Sequence, residues 1–79
     1  MPKSLVTRKN AQLRTRLVQA RKEAHMTQVA LAKKLGRPQS YVSKYERGER
    51  RLDLVEFMEI ARAIGFDASK FFVDLERIS

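Results

Sequence analysis

Seventy-nine residues with no cysteine, one histidine and a formal charge of +8 suffice for one small domain. They exclude a disulfide framework within the chain and leave a structural zinc site without ligands, so no metal or cofactor is expected. There is no run of eighteen apolar residues and no apolar stretch in the N-terminal MPKSLVTRKN, so neither membrane spanning nor export is expected, and a cytoplasmic location is the default.

The charge is unevenly placed. Residues 1–52 carry fourteen Lys and Arg against three Asp and Glu, and residues 53–79 carry three against six. A concentrated positive half attracts a phosphate backbone through counterion release. Residues 1–8, with Pro2, Lys3 and Arg8, lack a sustained period and read as a flexible basic arm ahead of a single domain over 9–79. A first helix is predicted from Lys9 to Ala24, with Leu13, Leu17, Ala20 and Ala24 as its apolar stripe and Lys9, Arg14, Arg16 and Lys22 off it.

Thr27 can cap a second helix from Gln28 to Leu35, which places Gln28 beside free backbone N–H groups suited to a phosphate. Gly36 closes that helix, Arg37 follows in the turn, and Pro38 prevents a straight continuation. A third helix is predicted from Gln39 to Glu46. Its Val42 and Tyr45 point inward, with small Ala32 of the second helix allowing close approach. Gln39, Ser40, Ser43 and Lys44 are related by steps of three and four and so share the outer face. Such a face can read base edges: Gln bonds adenine at N6 and N7, Lys reaches guanine O6 or N7, and Ser serves either. Tyr41 is expected at its margin, where a phenol can reach a phosphate or pack on a thymine methyl or sugar. Arg47, Arg50 and Arg51 surround Gly48 in a basic loop suited to flanking phosphates, and Arg37 joins them as a DNA-backbone residue.

Asp53 can cap a fourth helix from Leu54 to Ile64, whose Leu54, Phe57, Ile60, Ala61 and Ile64 form a stripe stopped by Gly65. Phe66 should plug the core. Asp67 or Ser69 starts a last helix over about 68–78, in which Phe71, Leu75 and Ile78 share one stripe. Phe72 and Val73 lie off that stripe and are predicted to form a dimer interface.

The Gln28 to Gly48 stretch carries a resemblance. Ala32, Gly36 and Val42 with Leu31 and Leu35, the opening Thr27-Gln28 and the run SYVSKYERG from Ser40 to Gly48 resemble the lambda repressor and Cro-like helix-turn-helix family, the xenobiotic response element family of transcriptional regulators. The likeness extends from about Leu17 to Phe72. It implies a compact all-α domain of five helices that binds double-stranded DNA sequence-specifically. It further implies a repressor without enzymatic activity, working as a homodimer on an operator of two half-sites. By the same resemblance Arg21 pairs with Glu46 structurally, Gln28 grips the DNA backbone, Gln39, Ser40 and Lys44 read bases, and Ser43 supports them. Two positions depart from the pattern: His25 stands where Gly is common, and Pro38 where a Ser or Thr cap is common. An antitoxin or restriction-modification controller of the same fold would look alike, and a helical module for protein or RNA is the rival of a different class. A protein partner such as a toxin or polymerase is left open.

Overall fold

The computed structural model describes residues 5–77, with side chains from Arg8 onward. Five helices follow one another: α1 (Leu5–Glu23), α2 (Gln28–Leu35), α3 (Gln39–Glu46), α4 (Leu54–Ile64) and α5 (Ala68–Glu76). Among the described residues there is no strand, and no helix is long and apolar enough to cross a membrane.

The ends of these helices follow from local chemistry. The Thr27 hydroxyl accepts from the Ala30 amide at 3.0 Å, and Gly36 leaves α2 in the left-handed region at φ 67 while the Arg37 amide reaches back to the Ala32 carbonyl at 3.0 Å. Pro38 begins α3 with no side-chain cap bond, as its missing hydroxyl requires. Asp53 and Glu56 form a reciprocal capping box on α4, with Glu56 N–H donating to Asp53 at 2.7 Å and Asp53 N–H to Glu56 at 3.0 Å. Asp67, rather than Ser69, caps α5, accepting from the Ser69 amide at 2.9 Å and the Ser69 hydroxyl at 2.7 Å.

Two expected boundaries are corrected. The first helix starts at Leu5, four residues ahead of Lys9, so helix replaces half of the predicted arm; residues 1–4 lie outside the described residues. Between Lys3 and His25 there is neither Gly nor Pro, so nothing stops the helix where its apolar stripe ends. At its other end α1 stops at Glu23, and Ala24 is exposed beyond it. His25 then turns the chain at φ 58, the one described non-glycine residue with positive φ. Ile78, assigned to the α5 stripe, lies outside the described residues.

The core sits where α2 packs on α3 and α4, with α1 laid against α3 and α5. Leu17, Leu31, Val42, Tyr45 and Ile60 are fully buried, with Ala32, Phe57 and Phe71 nearly so. Phe66 packs against it as expected, its ring 6.1 Å from Phe57 and 5.1 Å from Phe71. Leu54 departs from its predicted stripe and is 58% exposed, because the first residue of α4 stands one turn short of the crossing that buries Phe57. Arg16 ties α1 to α5, 3.4 Å from Asp74.

Candidate nucleic-acid interface

The second helix of the α2–turn–α3 unit presents its expected outer face. Gln39, Ser40 and Lys44 are exposed and Ser43 is half-buried, while Val42 and Tyr45 are buried beneath them. Behind this face runs a chain of polar contacts from α1 to α3. Arg21 grips Glu46 with two bonds, Nε to Oε2 at 2.7 Å and Nη2 to Oε1 at 3.1 Å, and its third donor holds the Met26 carbonyl at 2.8 Å. Both partners are largely buried, with side chains 10% and 6% exposed. The bond to Glu46 raises the Arg21 pKa further despite the opposing effect of burial. The expected pair is therefore present. Its extension was not anticipated: Gln28 donates from Nε2 to Glu46 Oε1 at 2.8 Å, and Gln39 donates from Nε2 to Gln28 Oε1 at 3.4 Å. The first residue of α2 is thus fastened to the first residue of α3.

Tyr41 is placed differently from the expectation. It is buried, 7% exposed, with its ring edge-on to Tyr45 at 5.8 Å. Two guanidiniums stack on it, Arg37 at 4.4 Å and Arg50 at 4.8 Å from the ring centre. Burial pushes its phenol pKa up. Tyr41 and Tyr45 are four residues apart on one helix, so the spacing that sends Tyr45 inward also carried the signal for Tyr41. Rather than standing at the margin of the outer face, Tyr41 supports two of the basic residues beside it.

The basic loop is not uniform. Arg50 is bound to Glu56 at 2.8 Å, and Arg47 to Glu49 at 2.8 Å on the surface. Arg51 is exposed, and no acidic side chain among the described residues pairs with it. Arg50, with the Asp53 amide, holds the Glu56 carboxyl down at about 2. Away from this face, Phe72 is 36% exposed with its ring 4.8 Å from Phe57, and Val73 is 52% exposed. On α4, Val55 and Met58 are also exposed, at 65% and 53%, and border an open cleft with Ala68 of α5.

Two short helices at a tight turn, one packed on the core and the other showing a polar face, define a helix-turn-helix domain. Residues 17–71 match the family described as helix-turn-helix. The chain is 34% identical over 68 residues to an uncharacterized transcriptional regulator in the ATPase CF(0) region of Rhodospirillum rubrum, a match covering 86% of this chain and 63% of that one. It therefore spans less than two thirds of that relative's length. Among solved structures it is similar to an XRE-family like protein from Pseudomonas syringae pv. tomato str. DC3000, at 45% identity and a TM-score of 0.89, over 92% of this chain and 89% of that one. The chain belongs to the Cro-like helix-turn-helix family.

Proposed function

We propose that this protein is a sequence-specific double-stranded DNA-binding transcriptional regulator, a cytoplasmic repressor that works as a homodimer on an operator of two half-sites. The observation that carries the reading is the hydrogen bond from Gln39 to Gln28, whose amide is itself anchored on the Arg21–Glu46 pair. The start of α2, where free N–H groups and Gln28 suit a phosphate, is held in register with the start of α3, where Gln39 meets a base edge. Register on the backbone and readout of sequence are then one rigid arrangement. Two copies would set their α3 helices into successive major grooves about 34 Å apart, and occupancy alone would block transcription, without chemistry. Tyr41, the aromatic residue nearest the basic face, lies buried under Arg37 and Arg50, which weighs against stacking on single-stranded RNA.

Selection of bound sequences from a random duplex pool tests this directly. The expected product is a pair of inverted half-sites. Gln39→Ala and Lys44→Ala should each lose about 1 to 3 kcal/mol on the selected site and relax preference at one position per half-site. No enrichment from the pool, or unchanged preference in both variants, would overturn the reading.

A further inference from the structure

We infer that the cavity between α1 and the loop joining α3 to α4 is a seat for a small tetrahedral oxyanion such as phosphate. The cavity holds about 200 Å³ and is walled by Asn10 and Arg14 of α1, Tyr45 of α3, and Gly48, Arg50 and Arg51 of the loop. At roughly 30 Å³ per water in the liquid, that volume accommodates a five-atom oxyanion. No acidic residue lines it. Of its three guanidiniums, that of Arg50 is neutralised by Glu56. Arg14 and Arg51 have no acidic partner among the described residues, so two uncompensated charges face one small volume.

Two further features fit the same ligand. Gly48 has φ 81, and a Cβ added to it would fall 2.8 Å from Arg14 Cζ and 2.9 Å from Arg14 Nε. The absence of a side chain at Gly48 therefore lets the Arg14 guanidinium lie against the loop. Tyr45 supplies the other feature: among the described residues its hydroxyl is the buried side-chain polar atom with no hydrogen-bond partner, although the residue is fully buried. Leaving a buried hydroxyl unmatched is costly, and this residue forms part of the wall of a cavity rich in positive charge. An oxyanion accepts from a phenol and from guanidiniums at once.

The anion has two sources with one chemistry: a free inorganic phosphate, or a backbone phosphate of duplex DNA. The free-anion test uses the protein without DNA and so stands whether or not the proposed function holds. Sodium phosphate is titrated into ¹⁵N-labelled protein against sodium chloride at matched ionic strength. Saturable shifts are expected at the Gly48 and Arg51 amides and at Arg14 Nε–H, with α5 unmoved. Arg14→Gln, a half-exposed helix position, should weaken saturation by about tenfold or more. Tyr45→Phe removes only the unmatched hydroxyl, so it should keep the helical signal and still bind phosphate less tightly than wild type. In the duplex arm, loss of affinity in Arg14→Gln with competition by phosphate identifies a backbone phosphate as the occupant. Wild-type duplex affinity in Arg14→Gln, combined with saturable shifts in the free protein, identifies the free anion. Shifts that are linear in phosphate and unchanged in Arg14→Gln, together with wild-type duplex affinity in that variant, would overturn the proposal.

Discussion

Glu46 accepts from residues of two other helices, and its position shows how much of this molecule depends on one carboxylate. Glu46→Ala would leave the buried Arg21 guanidinium with only the Met26 carbonyl. Breaking a buried pair in this way costs about 3 to 5 kcal/mol. A domain of this size has roughly 4 to 12 kcal/mol of total stability, so the urea midpoint of Glu46→Ala should fall by a large fraction, and a midpoint near wild type would contradict the assignment. His25 is the opposite case. It occupies the left-handed region at φ 58, where a Cβ costs about 1 to 2 kcal/mol. His25→Gly removes that strain but loosens the unfolded chain, leaving a net gain of about 1 kcal/mol, or a rise of roughly 4 to 8 °C in Tm. A calorimetric Tm that falls would mean the imidazole makes a compensating contact. The strain itself was legible in the sequence, because a histidine stands where the turn calls for glycine. The course of Arg21–Glu46 onward to Gln28 was not, because a first-turn glutamine reads equally well as a side chain in water.

At the scale of the elements, the starts of α2 to α5 were legible because Thr27, Pro38, Asp53 and Asp67 each leave a chemical mark at a helix N-terminus. Gly36 and Gly65 mark the corresponding stops. The start of α1 left no such mark, and periodicity reports only where a helix is buried, which is why Leu5 was missed. Leu54 and Tyr41 were misplaced in opposite directions because helical phase does not say which turns of a helix a neighbour covers. The capping box of α4 has a measurable signature. Glu56 titrates ordinarily at 4.5 and is held at about 2 in the fold by Arg50 and the Asp53 amide. Its folded value is depressed, so its contribution to stability is fully present above about pH 4.5 and is lost as pH falls toward 2. Asp67 and Glu49 are also lowered and act in the same direction. Urea midpoints should therefore decline across that window in wild type and decline less steeply in Glu56→Gln. Superimposable pH profiles would show that ionisation of Glu56 contributes nothing to stability, since Gln can still complete the box.

For the whole molecule, two surfaces carry the consequences. On α5, Phe72 leans on Phe57 while Val73 stands clear, so the two proposed interface residues differ in what they owe to the intrachain core. Val73→Asp should give a folded monomer with its helical signal intact and weaker binding to a duplex of two half-sites. Phe72→Asp should add a loss of stability to the same change. Sedimentation that finds Val73→Asp dimeric would place the interface elsewhere. On the basic side, affinity for duplex DNA should fall steeply with salt. Arg51→Ala should flatten the log–log slope by about one unit, and Arg50→Ala by less, because Glu56 already offsets the Arg50 charge. Equal slopes for the two variants would mean that the ion pair opens on binding.

The link from Arg21 to Gln39 also has a direction. Arginine can only donate and a carboxylate can only accept, so Glu46 requires Gln28 to turn its amide nitrogen inward, which leaves the Gln28 oxygen to meet an N–H of Gln39. Gln39 is then left with one N–H and one oxygen facing outward. Adenine, with an acceptor at N7 and a donor at N6, is the complement of that arrangement. The polarity of the Gln39 amide is thus dictated, three hydrogen-bonded links away, by the Arg21 guanidinium. Glu46→Gln, which can present either end of its amide, should blur the choice of base at the Gln39 position while leaving the Lys44 position sharp.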